Sequence, residues 1–184
     1  MISPQPQFNL QSAKKYFREH LAVGDFCTVR TTEYYAEKRA VVGAWFGEGA
    51  ARLNLRGIVG ESAFLAMCDG NDPGTGTRLT LRRNTVRRSD GKRVANRRVF
   101  YDFTMSPPKS VSVVALMHDH RIVGAHERAV SAALAELEKF AETRVRLGQK
   151  RAGRVTGNLV VARFRHDTSR ELDPHLLCAA AHRR

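Results

Sequence analysis

The sequence predicts an α+β domain, a sheet layered against helices, and three observations carry that prediction. Segments with period-two alternation and segments with three-to-four spacing follow one another without a βαβ rhythm, which argues against a doubly wound parallel sheet. The chain has 184 residues, 42% hydrophobic and 27% charged, the length and composition of one globular domain with a real core. No internal repeat or low-complexity stretch interrupts it.

The elements read in order as follows. From Asn9 to about Leu21, Leu10, Ala13, Tyr16, Phe17 and Leu21 share a broad helical face. Residues 24–33 are loop-like or extended. Ala44 to Leu53, containing WFGEGAARL, reads as a second helix, and Ser62 to Cys68 as a third that ends in the turn cluster DGNDPGTG. An arginine-rich hairpin or loop follows, and then VFYDFTMS alternates as a strand until Ser106-Pro107-Pro108 breaks it. Lys109 to Met117 is an apolar run that periodicity alone leaves open between helix and strand. Residues 122–146 form the clearest helix, with Val123, Val130, Leu134, Leu137, Ala141 and Val145 on its apolar stripe. GQKRAGR is a polar turn, TGNLVVARF a strand leading into HDTSRELDP, and HLLCAAAHRR fits no element.

The charge is unusual. Thirty-one Lys and Arg against 18 Asp and Glu leave +13, a surplus that points to a polyanion, nucleic acid first. An anionic membrane would call for a basic amphipathic helix or a lipidation site, and neither is present. Cys27, Cys68 and Cys178 are too far apart and too few for a disulfide framework or a zinc knuckle, and suit a reducing cytoplasm. The N-terminus lacks a signal-peptide core, and no apolar run reaches the ~20 residues a bilayer requires, so no membrane insertion is expected.

Several residues invite chemistry. Tyr34 and Tyr35 are adjacent, and Tyr16 lies upstream beside Phe17. The pair reads either as packing at a strand edge or as nucleophiles; a phenol with a pKa of ~10 becomes useful only beside a metal or a base. His166, His175 and His182 lie close together near the end of the sequence, compatible with a divalent metal site, although their spacing matches no single face. Arg82, Arg83, Arg87, Arg88, Lys92, Arg93, Arg97 and Arg98 are accompanied by a single acid, Asp90. That stretch is either a solvated loop or a grip on several phosphates.

From about Lys15 to Pro174 the chain resembles the N-terminal domain of MobF-class conjugative relaxases, the TrwC/TraI type. The resemblance rests on EYYAEKRAVVGAWFGEGAARLNLRG, FLAMCDGNDPGTGTRL, YDFTMSPPKSVSVVAL and TGNLVVARFRHDTSRELDP, in that order. It implies an HUH-endonuclease-like fold, an antiparallel sheet with packed helices and a cleft for single-stranded DNA at a transfer origin. It also implies relaxosome accessory and coupling proteins as partners. A tyrosine would attack a phosphodiester, leaving a 5′-phosphotyrosine and a free 3′-hydroxyl, while Mg²⁺ or Mn²⁺ on three histidines polarises the phosphate. By this resemblance Tyr34, Tyr35 and Tyr16 are the nucleophile positions. Asp102 orients a metal-binding histidine or assists proton movement, Lys109 and Ser110 lie on the cleft floor, and His166 is the first metal ligand.

The match departs at its end. Where the family reads DPxLHTH, this chain reads DPHLLCA, so Leu177 and Ala179 stand at the two further ligand positions. His175 is expected on the opposite strand face and His182 in a fraying tail. The whole chain is therefore expected to be a partial relaxase domain lacking its C-terminal part, with residues 175–184 a divergent tail that points to a frameshift or a decayed gene. A lost central strand would then leave an open sheet edge. A non-catalytic single-stranded-DNA-binding remnant, or a vestigial product of a frameshifted gene, is the alternative to an active strand transferase.

Overall fold

A computed structural model describes residues 2–18, 43–80, 85–89, 92–147, 150–169 and 173–183. Its main sheet has five strands in the order β1-β5-β9-β8-β2, where β1 is Ile2–Gln7, β2 Ala44–Phe46, β5 Phe100–Met105, β8 Val160–Thr168 and β9 Pro174–Arg183. Every pairing in it is antiparallel. Two separate ribbons stand outside this sheet, β3 (Val86–Ser89) with β4 (Lys92–Ala95), and β6 (Glu142–Leu147) with β7 (Lys150–Val155). The helices are α1 (Leu10–Tyr16), α2 (Glu48–Arg52), α3 (Glu61–Asp69), α4 (Lys109–Met117) and α5 (Arg121–Lys139). Among the described residues no helix is long and apolar enough to cross a membrane.

The largest departure from expectation is β9. HLLCAAAHRR, which has no readable period, forms most of a ten-residue strand at the centre of the sheet, paired with β5 on one side and β8 on the other. The open edge expected from a lost central strand is therefore absent, and His182 lies in paired strand rather than in a frayed tail. At the sheet's margin β1 carries Pro4 and Pro6, two residues apart, so their missing N–H groups fall on the same side of the strand. That is tolerable only on an edge, which is where β1 lies.

Two helix boundaries also differ. The expected helix over 44–53 is a short strand and a short helix, divided at Gly47, whose φ is +100°. A Cβ there would stand 2.5 Å from the Leu159 carbonyl oxygen, so only glycine fits. The long helix stops at Lys139, and residues 142–147 are strand, because Thr143, Val145 and Leu147 alternate with Arg144 and Arg146 at period two. The run at Lys109–Met117 resolves as helix, with Ser112 and Ala115 fully buried. The expected polar turn GQKRAGR is instead mostly strand, since Lys150–Val155 form β7, while Leu21 and residues 24–33 lie outside the described residues. Asn9 caps α1 through its side chain, accepting from the Gln11 and Ser12 amides, and Gly70 ends α3 in the left-handed conformation.

Two cores fill the layers. On one face of the sheet Phe17 stacks on Phe64 at 4.2 Å between centroids, and Phe164 meets Phe17 edge-on at 5.7 Å, with Phe100, Val99 and Ala162 around them. On the other, Val130 and Leu134 of α5 pack on Met105, Val161 and Cys178. One carboxylate joins three elements. Glu138 Oε1 accepts from the Glu48 and Leu159 amides, both at 2.8 Å, tying the end of α5 to the start of α2 and to the entry of β8.

Two outcomes follow from this packing. Glu138→Ala strands the buried Leu159 amide and should cost about 1.5–3 kcal/mol in chemical denaturation, with Glu138→Gln, which keeps an acceptor, losing less. Burial pushes the Cys178 thiol up to about 12, so alkylation of the native protein at neutral pH should leave Cys178 unmodified, by mass spectrometry, until denaturant is added.

Candidate functional site

Strand alternation sorts the candidate residues onto one face. Paired residues of antiparallel strands share a face, and Asp102 pairs with Gln5 and Ala181 while Ala181 pairs with Ala162. His166 pairs with Leu177, and position 179 stands between Thr104 and Phe164. Asp102, His166 and positions 177 and 179 therefore lie on the side that carries Phe100, Ala162 and Phe164, the side on which α1 packs through Ala13 and Phe17. Tyr16 is the last residue of α1 on that same side. Both Asp102 and His166 are buried, at 6% and 7% exposure, which marks them as parts of the fold's interior rather than surface polar groups.

Sharing a face does not make Asp102 and His166 neighbours. They are separated by β9 and offset by four residues along the sheet, a distance on the order of 15 Å at ordinary strand spacing and rise. Asp102 lies diagonally across from position 179, not from His166. The histidine it was expected to orient would stand at 179, where this chain has alanine.

A divalent ion therefore fails the fit. The two positions that share the face with His166 and lie nearest it on β9 carry Leu177 and Ala179, which offer no lone pair. His175 does not substitute in register. Between the pairs His166–Leu177 and Thr168–Pro174, β9 has one residue more than β8, so a bulge at 175–176 interrupts the alternation there. His182 pairs with Tyr101 and Val161, one residue out of phase with Ala181, and so belongs to the opposite face. Among the described residues no three His, Cys, Asp or Glu side chains are grouped to hold a metal.

The cations are distributed differently. Arg87, Arg88, Lys92 and Arg93 lie on the β3–β4 ribbon, where Arg88 and Arg93 stand directly opposite one another. The β6–β7 ribbon repeats the arrangement. Arg146 faces Arg151, and Arg144, Lys150 and Arg154 share the same two strands. Sequence reasoning missed this second ribbon by extending the helix to 146, although period-two alternation in TRVRL before GQK was the available signal. Arg98 is exposed and lies 4.9 Å over the Tyr101 ring, a cation–π contact.

Arg97 is a different case. It turns inward, donating from Nη2 to the Cys68 carbonyl at 2.8 Å at the end of α3, and its burial lowers its pKa. That guanidinium, expected on DNA, serves the C-terminal carbonyls of a helix instead. Lys109, the first residue of α4, pairs with Asp173 at 3.1 Å, both half-exposed, an ion pair of the weak surface kind. Tyr34, Tyr35, Arg82 and Arg83 lie outside the described residues.

Comparison with known proteins agrees with this architecture. A model of the TrwC relaxase family matches residues 10–178. The multifunctional conjugation protein TraI of Escherichia coli is 41% identical over 133 residues, 72% of this chain, and the version from strain K12 is 41% identical over 134 residues. The chain spans 7% of the length of either. A metal-bound structure of conjugative relaxase TrwC in complex with oriT DNA superposes with a TM-score of 0.72 at 31% identity, covering 99% of this chain and 56% of that one. TrwC complexed with a 27-mer comprising the recognition hairpin and the cleavage site gives 0.71 at 29% identity, covering 99% and 55%. With the matched segment spanning nearly all of its elements, the chain belongs to the TrwC relaxase family.

Proposed function

We propose that this chain is a relaxase-family domain that binds single-stranded DNA at a transfer origin, and that by itself it does not transfer the strand. The observation that carries the binding is two register pairs of arginines, Arg88 with Arg93 and Arg146 with Arg151, one pair on each ribbon. Like charges directly across an antiparallel pair repel, and the repulsion is relieved when a polyanion lies along them. The net charge of +13 supplies the long-range attraction. The solved TrwC structures that this fold resembles are complexes with oriT DNA, which fits the reading. A cytoplasmic location suits such a partner, and relaxosome accessory and coupling proteins would meet the domain there.

The chemistry assigned by family resemblance is attack of a tyrosine hydroxyl on a backbone phosphodiester, giving a 5′-phosphotyrosine and releasing a 3′-hydroxyl. Tyr34 and Tyr35 are the first candidates and Tyr16 the next. A phenol at pH 7 is almost wholly protonated, with its pKa near ~10, so it needs the phosphate activated before it attacks. In the family a Mg²⁺ or Mn²⁺ ion on three imidazoles supplies that activation. Here Leu177 and Ala179 supply none of it, and Asp102 lies too far from His166 to make a two-residue replacement.

Fluorescence anisotropy with a single-stranded oligonucleotide tests the binding. The affinity should fall steeply with salt. Arg88→Gln with Arg93→Gln should reduce the slope of log K against log salt by about 1.4, roughly 0.7 for each phosphate contact removed. Binding that ignores salt would refute the assignment. A denaturing gel tests the second half. With Mg²⁺ or Mn²⁺ the wild-type chain should leave no protein–DNA adduct, whereas an adduct abolished by Tyr34→Phe or Tyr35→Phe would establish strand transfer.

A further inference from the structure

We propose that the corner of the sheet formed by β1 and β5, on the face opposite Asp102 and His166, is a stacking surface for the bases of single-stranded DNA, with Tyr101 as its platform and Arg98 as its phosphate contact. The inference rests on the DNA-binding reading above and adds to it contacts with the bases themselves. Register gathers the residues. Ile2, Pro4 and Pro6 pair with Met105, Phe103 and Tyr101, so all six share the face that carries Cys178 and the α5 core. α5 covers only part of that face. Met105 is buried and Phe103 packs partly against the α5 core, but Ile2 is 54% exposed, and Pro4 and Pro6 are exposed as well.

Two rings and a cation give the corner its chemistry. The Tyr101 and Phe103 centroids are 6.2 Å apart with planes tilted by 36°, and the Arg98 guanidinium lies 4.9 Å over the Tyr101 ring. Arg98 is exposed, so the ring side that it covers is open to a planar group arriving from solvent. A nucleobase is such a group, and a guanidinium that gives way to it stays within reach of the adjoining phosphate. The position of Arg98 is set from both sides. Arg97 before it donates to the Cys68 carbonyl at 2.8 Å, and the Val99 amide after it donates to the Gln7 carbonyl at 2.7 Å. The β3–β4 ribbon ends three residues earlier, at Ala95, so a single strand held along the ribbon meets this corner next. Pro4 and Pro6 leave β1 without two donors, which disfavours a peptide adding as a further strand and leaves the face for binding. The net charge of +13 favours a polyanion there over a protein.

Fluorescence anisotropy of the full chain with an oligothymidylate, and with a strand of equal length made of abasic sites, separates stacking from charge. Tyr101→Ala should weaken binding to the oligothymidylate roughly tenfold at every salt concentration and leave the slope of log K against log salt unchanged. Tyr101→Phe, which keeps the ring, should recover most of that loss. On the abasic strand Tyr101→Ala should bind as the wild type does. Arg98→Gln should reduce the slope by about 0.7 on both strands. Wild-type affinity of a folded Tyr101→Ala for the oligothymidylate would overturn the proposal and leave the corner to a protein partner. An equal loss on the abasic strand would overturn it as well. If Tyr101→Ala does not fold, photocrosslinking of a 5-iodouracil strand to the wild-type chain decides the matter. A crosslink at Tyr101 or Phe103 supports the proposal, and crosslinks confined to other residues refute it. A wild-type chain that binds neither strand would instead remove the DNA-binding reading, and the proposal with it.

Discussion

A strand with neighbours on both sides must give its N–H and C=O groups to two partners at once, and β9 is the strand under that constraint. Its residues 178–182 pair with β5 while 174–183 pair with β8, so the two halves of the sheet meet only through it. Remove its pairing and β5 and β8 would each present an open edge, with the aromatic core on one face and the α5 core on the other cut along the same line. α4, with Ser112 and Ala115 fully buried, lies close to β9.

The same register decides the site. Because faces alternate along β9, one set of its residues belongs with Asp102 and His166 and the other with Cys178 and the α5 core. A one-residue slip would exchange the two sets, moving a buried thiol and a histidine position to the face of the candidate metal centre. Leu176 and Cys178 are almost fully buried, and that burial pins the register. The identity of residues 177 and 179 is thus tied to one location, beside His166 and diagonal to Asp102. The lack of ligands there is a statement about chemistry, not about misfolding.

What was legible in the sequence was whatever had a long period or a strong stop. α5 showed its three-to-four stripe, α3 its terminal glycine and turn cluster, and β5 its alternation up to two prolines. β9 was not legible, because a run of three alanines between leucines and a histidine has neither period; only the two strands that need a partner between them make it a strand. The ribbon at β6–β7 was hidden for the opposite reason. Val145 satisfies the helical stripe of the preceding residues as well as the alternation of its own strand, and the helix had the longer claim. At the site, residue types were readable but distances were not. Asp102 and His166 looked like members of one group, and only the register shows β9 and four residues of offset between them.

Leucine and alanine at the two positions of β9 nearest His166 on its face also bear on how this sheet would pack with no ion bound. An imidazole facing a core needs a partner for each ring nitrogen, and an unpaired one costs on the order of 1–3 kcal/mol. In a metal centre the ion meets that need, and without it two histidines beside His166 would press on one another in a poorly solvated space. Aliphatic side chains carry no such requirement. On this argument a sheet of this kind with no ion bound would be more stable with Leu177 and Ala179 than with histidines at those positions. Asp102 keeps a buried carboxylate on that same face, diagonal to position 179. Stability without an ion and affinity for one would therefore pull residues 177 and 179 in opposite directions, while the strand that carries them stays where the sheet requires it.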